Sequence, residues 1–152
     1  SGNRITMEGV DNREAAYVFS IKKKEKAPVL VNSSQPLNNL LAEKLAEGLR
    51  SQGLEVGNSG TTNLTLAIST AAVTVEEKTF TYVTKSRVSL QVIADFQGSK
   101  LTKQFNMSSS KEGPGEPSMA DLESTLNQQL GSVLQQIMAD EALRGYLKGQ
   151  PS

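Results

Sequence analysis

Between Thr79 and Phe96 the chain alternates without a slip. Phe80, Tyr82, Thr84, Ser86, Val88, Leu90, Val92, Ala94 and Phe96 make a mostly apolar row. Thr79, Thr81, Val83, Lys85, Arg87, Ser89, Gln91, Ile93 and Asp95 make a mostly polar one. Successive side chains of a strand point to opposite faces, so this pattern specifies one strand with one buried face. At about 3.3 Å per residue the strand would run roughly 55–60 Å. Ordinary strands have about 5–6 residues, so this one must twist, bend or project beyond its sheet. It is the spine of the expected fold.

The flanking segments supply partners for it. Asn63 to Glu77 alternates on even positions through Leu64, Leu66 and Ile68, then on odd ones through Ala71, Val73 and Val75. A one-residue change of phase swaps the buried face, so a β-bulge or sharp bend is expected near Thr70 to Ala72. Glu76-Glu77-Lys78 is expected to turn the chain into the spine, and Gln97-Gly98-Ser99-Lys100 to turn it out again into a strand over Leu101 to Met107. Ser108 to Ser118 is rich in Ser, Gly, Pro and charge and reads as a mobile linker. Upstream, Arg4 to Val10, Ala15 to Ile21 and Pro28 to Val31 are short strand candidates. Gly53 to Val56-Gly57 is a brief return into the sheet.

Two long helices complete the pattern. Ser34 is the expected N-cap of the first, with Pro36 in its opening turn and Gly53 as its stop. Leu37, Leu40, Leu41, Leu45 and Leu49 share one stripe. Ser118 caps the second, with Asp121 three residues on, and Leu122, Leu126, Leu130, Val133, Leu134 and Ile137 line one face. A short helix over Glu141 to Lys148 follows. This order predicts an α+β, two-layer domain. A mainly antiparallel twisted sheet with a long β-hairpin and meander carries two long helices on one face. At 152 residues, one domain over 1–152 is expected.

Composition narrows the function. Sixteen Lys plus Arg balance sixteen Asp plus Glu, which disfavours a dedicated nucleic-acid binder. With no His and no Cys, Ser–His pairs, Cys nucleophiles, the usual zinc sites and disulfides are excluded. No cofactor, metal or catalytic residue is expected. Glu76 and Glu77, adjacent on a turn, would point apart rather than converge on one cleft as a glycosidase needs.

Gly9-Val10-Asp11-Asn12-Arg13, Leu40-Leu41 through Gly53, Val56-Gly57, Asn63-Leu64, Tyr82 and Thr84-Lys85 follow one another in a recognisable order. Gly98-Ser99-Lys100, Thr102-Lys103-Gln104, Leu126 to Met138 and Leu143 to Lys148 continue it. In this order and spacing the chain resembles the YajG-type lipoproteins of Gram-negative bacteria, over nearly its whole length. The resemblance implies a precursor with a signal peptide and an acylated Cys, anchored at the periplasmic side of the outer membrane. The sequence carries neither, so both are expected to have been removed ahead of it. The resemblance brings no catalytic residue with it.

Three places are singled out as a candidate interaction surface. Asp11 and Arg13 flank Asn12 after the first strand; they form either a binding edge or structural ion pair near a groove, or ordinary turn chemistry with a solvated Arg, which is the favoured reading. Lys22, Lys23, Lys24 and Lys26 either face anionic lipid or guard a strand edge, the second being favoured. Lys85 and Arg87 stand on the polar face of the spine, facing a partner or a small anionic ligand, or simply solvated, as favoured. Met119 and Met138 either join an exposed apolar patch or fill the core.

The leading expectation is a non-enzymatic, membrane-tethered interaction or structural module of the cell envelope, partnered by itself or by another envelope protein. Its sheet edge, or the spine hairpin projecting around Val75 to Thr81, would be the contact surface. The alternative is a small-molecule or lipid carrier with an apolar cleft between sheet and helices.

Overall fold

A computed structural model describes residues 4–149. Three strands open the chain: β1 (Arg4–Asp11), β2 (Tyr17–Lys22) and β3 (Val29–Asn32). Helix α1 (Leu37–Ser51) and the short β4 (Glu55–Gly57) follow, then three strands of sixteen residues each: β5 (Thr62–Glu77), β6 (Thr81–Phe96) and β7 (Ser99–Pro114). Helices α2 (Met119–Ala139) and α3 (Glu141–Leu147) close it.

The seven strands form one curled, mixed sheet. β5, β6 and β7 make an antiparallel meander paired along its full length. On the other edge of β5, two short strands lie end to end and parallel to it. β1 pairs with Thr62 to Ile68, and β2 with Val73 to Glu76. β4 adds in parallel to β1, and β3 adds antiparallel to β2.

The alternating row behaves as its period requires. Tyr82, Thr84, Ser86, Val88, Leu90, Val92 and Ala94 are all buried, and none of the odd residues between them is. Phe80 departs from the row. It sits in the turn Lys78–Phe80, closed by a bond from the Lys78 N–H to the Thr81 carbonyl, and is 82% exposed. Glu76 and Glu77 belong to the strand, paired with Val83 and Tyr82, rather than to the turn.

The phase change in β5 is resolved by one extra residue. Ile68 pairs with Leu90 and Thr70 with Ser89, leaving Ser69 unopposed as a bulge. It lies one position before the expected stretch. Leu64, Leu66 and Ile68 before it, and Ala71, Val73 and Val75 after it, all reach the same core.

The second turn is tighter than expected. Gln97 (φ 53°) and Gly98 (φ 86°) form a two-residue loop with both residues left-handed, the type I′ geometry that suits strand twist. β7 then runs on to Pro114, so the linker expected over Ser108 to Ser118 is mostly strand. A tight turn at one end commits every later residue to a partner on β6, and small or polar residues are accepted on an edge strand. Tyr82 pairs with Gly113, whose missing side chain makes room: a Cβ there would sit 2.6 Å from the tyrosine hydroxyl.

Both long helices lie on one face. α1 ends in a Schellman motif around Gly53 (φ 92°), with the Leu54 N–H bonded to Leu49 O and the Gly53 N–H to Arg50 O. Its start corrects the sequence reading: Pro36, not Ser34, is the N-cap, and no side chain caps the helix. α2 is capped as expected, the Ser118 hydroxyl accepting from the Asp121 N–H at 3.1 Å. Gly9 lets α1 approach the sheet, and Gly48 lets Met138 of α2 lie against α1, so Met138 fills a helix crossing. Ile5, Leu41, Leu45, Leu64, Leu90, Leu122 and Ile137 fill the layer between helices and sheet. Among the described residues, no helix is long and apolar enough to cross a membrane.

Candidate functional site

The face of the sheet turned away from the helices is open, and the singled-out residues lie along it or at its margins. The first group sits where β1 leaves β5 and β2 has not yet joined it. Asp11 ends β1, and the Arg13 guanidinium returns to it, Nη2 at 2.8 Å and Nε at 2.9 Å from the carboxylate. Nη1 donates to the carbonyls of Tyr17 (3.1 Å) and Ala71 (3.4 Å). The Arg13 side chain is only 7% exposed, which overturns the solvated-Arg reading and supports a structural ion pair beside a groove. A strand edge without a neighbour leaves carbonyls bare, and Arg13 supplies the donors that a strand would. The adjacent hollow, about 480 Å³, is lined by Asn12 to Ala15, Tyr17 and Ser69 to Ala72. Hydrogen bonding by Arg13 holds the Asp11 carboxyl below its usual range, against a smaller opposing effect of burial.

Lys22 ends β2, and Lys23, Lys24 and Lys26 lie in the turn from β2 to β3, all four exposed. Glu25 takes the left-handed conformation the turn needs (φ 58°). The Lys22 ammonium folds back onto the Lys26 carbonyl. Val29 and Leu30 on neighbouring β3 are 53% and 56% exposed.

Lys85 and Arg87 are exposed on the open face of β6. Lys85 lies between Thr74 of β5 and Ser110 of β7, and Arg87 between Ala72 and Ser108. The three groups are thus not brought together. They mark the β1–β2 junction, the β2–β3 turn and the middle of the open face.

Two features went unread in the sequence. Beneath β7, the Ser109 hydroxyl receives the Gln129 amide at 2.7 Å and shares a 2.6 Å bond with Ser86. Gln129 is buried within the leucine stripe of α2, and its Oε1 has no protein partner. Its spacing, three residues after Leu126 and one before Leu130, was the available signal. The other feature is the β7 edge itself. Among the described residues β7 pairs only with β6, so one side of its backbone is open along sixteen residues. It is tied down from below by Lys103, 2.8 Å from Asp140, and by Tyr146, whose hydroxyl donates to Ser99 O and accepts from the Phe96 N–H. Burial alone would raise the Asp140 carboxyl, but bonds from Lys103 and from the Leu143 and Ala142 N–H groups outweigh it, and the net shift is downward.

The sequence model of a family described as uncharacterised lipoproteins matches residues 1–148. The chain belongs to this lipoprotein family. Within it, the lipoprotein YajG of Escherichia coli K12 is 24% identical over 148 residues, covering 97% of this chain and 77% of that protein. The fold recurs in protein XCC0632 of Xanthomonas campestris, with a TM-score of 0.71 at 10% identity, over 99% of this chain and 89% of that one. It recurs again in the hypothetical protein CT253 of Chlamydia trachomatis, with a TM-score of 0.50 at 9% identity, over 99% and 100% of the two chains. The structural likenesses carry the α+β architecture, and the family carries the lipoprotein class.

Proposed function

We propose that this lipoprotein domain is a non-catalytic interaction module of the cell envelope, held at the periplasmic side of the outer membrane, and that β7 is its contact edge. The supporting observation is the open side of β7. Unpaired backbone N–H and C=O groups along a sixteen-residue edge form a template for another strand. Edges are commonly guarded by inward charges, proline or a covering element, and the Ser108-Ser109-Ser110 stretch carries none of the first two.

The orientation fits a tether. β1 begins where β5 begins and β6 ends, since Ile5 pairs with Thr62 and Thr62 with Phe96. A lipid attached ahead of Arg4 would hold that end near the bilayer. The opposite end, with exposed Phe80 and the lysine turn, would stand about 50 Å away, the length of a sixteen-residue strand. The hairpin tip does not project bare, as the sequence suggested. β2 flanks it through Glu76 and β7 through Pro114, and Val75 is buried core. The contact surface is therefore the edge rather than a free hairpin. A second copy or another envelope protein would add a strand there.

For the apolar-cleft carrier, the layer between helices and sheet is filled, among the described residues, by fully buried leucines and isoleucines, and the hollow beside Arg13 lies at the β1–β2 junction, outside that layer. The test is photo-crosslinking in cells with the lipidated full-length protein. Probes at Gln104, Ser108 and Ser110 of β7 are compared with probes at Glu47 on the exposed side of α1. Adducts confined to the β7 positions are expected; adducts only from α1, or the same adducts from both, would reject the edge.

A further inference from the structure

The open face of the sheet holds a second feature, which shares Ser108 and Ser110 with the β7 strand but uses side chains rather than the open backbone edge. A hollow of about 580 Å³ is lined by Thr70 and Thr74 of β5, Lys85 and Arg87 of β6, and Ser108 and Ser110 of β7. It spans three strands because the sheet curls, which turns a flat face into a trough. Lys85 and Arg87 are two residues apart on one strand, so their Cα atoms stand about 6–7 Å apart on the same side. Their flanking neighbours are short: Thr74 and Ser110 beside Lys85, Ala72 and Ser108 beside Arg87. Neither cation is within ion-pair distance of a carboxylate among the described residues, and none of the residues lining the hollow is acidic. The nearest acidic side chains on this face are Glu76 of β5 and Glu112 of β7, each one pleat beyond the hollow; Glu76 stands opposite Lys22 across the strands and Glu112 opposite Val83.

The chemistry of the trough is specific. Two positive charges lie together in the middle of a sheet whose chain has no net charge. An Arg fork can take two oxygens of one oxyanion, and Lys adds a mobile point charge. Hydroxyls complete the set by donating or accepting as needed. The Thr74 hydroxyl is partly used, donating to the Lys85 carbonyl at 3.4 Å, which leaves Ser108 and Ser110 as the free ones among those flanking the cations. A phosphomonoester carries close to two negative charges near neutral pH and offers three terminal oxygens, matching the two cations and the two serines.

We propose that this trough is a binding site for a phosphomonoester group, with Arg87 and Lys85 taking its charge and Ser108 and Ser110 its remaining oxygens. The same group occurs on soluble sugar phosphates and on lipid headgroups, and the trough is open enough for either.

The experiment titrates the protein at fixed ionic strength with glucose 1-phosphate and with inorganic phosphate, following backbone amide shifts. In parallel, the protein is sedimented with phosphatidylcholine vesicles with or without phosphatidic acid. Saturable shifts centred on Lys85, Arg87, Ser108 and Ser110 are expected. They should weaken about tenfold or more in Arg87→Gln and in Lys85→Gln, the scale of one lost charge-assisted bond, and stay unchanged in Lys44→Gln on α1. Saturation by the soluble ligands alone would identify a soluble phosphate as the source. Sedimentation only with phosphatidic acid, lost in the double variant carrying both Lys85→Gln and Arg87→Gln, would identify a headgroup. Shifts that follow chloride equally, equal binding by the double variant, or no saturable response in any arm would overturn the proposal. Both positions are exposed, so the variants should melt with the parent, and that is checked first.

Discussion

Replacing Arg13 by Met keeps the aliphatic stem and removes four hydrogen bonds. Two of them end on Asp11, one on the Tyr17 carbonyl and one on the Ala71 carbonyl. A hydrogen bond to a charged group contributes about 1.5–3 kcal/mol, and a buried carbonyl left without a donor costs about 1–3 kcal/mol. The Asp11 side chain is 29% exposed, so water offsets much of its loss. Ala71 is 1% exposed and has no such recourse. The net destabilisation should therefore be about 2–4 kcal/mol, below the simple addition of the bonds. In a domain of this size that lowers Tm by roughly 5–15 °C. Urea unfolding should show a lower midpoint at unchanged m. A double-mutant cycle with Asp11→Asn should return a coupling of about 1 kcal/mol or more. The folded-state pKa of Asp11 is depressed, so its contribution is present above the unfolded carboxyl value and is lost as pH falls through the folded one. The acid limb of the stability curve should therefore flatten in Arg13→Met. A loss within about 0.5 kcal/mol, as for a surface side chain, would refute the role of Arg13 as the closure between β1 and β2.

Asp140 carries the same sign: its depressed pKa makes Lys103 pairing and capping of α3 fail as pH falls through the folded value. Asp140→Ala should cost about 1–2 kcal/mol at neutral pH and nothing further in acid, read by urea titration at both. Gly9→Ala would place a Cβ 2.3 Å from the Asn38 carbonyl of α1 and should cost about 1–3 kcal/mol in thermal melts. Gln129→Leu removes the unpartnered Oε1 while leaving the Ser86–Ser109 bond, so the unfolding free energy from urea titration should hold or rise by up to about 1–2 kcal/mol; a clear fall would mean that oxygen has a partner in solution.

How much of this could be read in the sequence follows from where side chains decide structure and where backbone does. The β6 row, both leucine stripes and the phase change of β5 were legible because burial selects apolar residues at fixed periods. Gly53 and Ser118 were legible because helix ends need particular chemistry. Phe80 misled, since an aromatic at the right parity need not be inside once the chain has turned. The far half of β7 was illegible for another reason. Its strand state comes from pairing with β6, which follows from the tight Gln97-Gly98 turn, while its own Ser-Ser-Ser-Lys-Glu-Gly run looks like a linker. Of the candidate site, the residue types were visible but their companions were not. Arg13 meets Ala71 fifty-eight residues away, and Arg87 meets Ser108 only through strand register.

A contact edge at β7 requires one continuous strand with an open outer side. Residue-resolved amide hydrogen exchange of the dilute protein over Ser99 to Pro114 measures this directly. Bonding to a single neighbour protects every second amide, so slow and fast positions should alternate along the whole strand, past Met107 to Gly113. Uniformly fast exchange beyond Met107 would restore the linker, and uniform protection throughout would show an edge already covered; either pattern would contradict the contact surface proposed here.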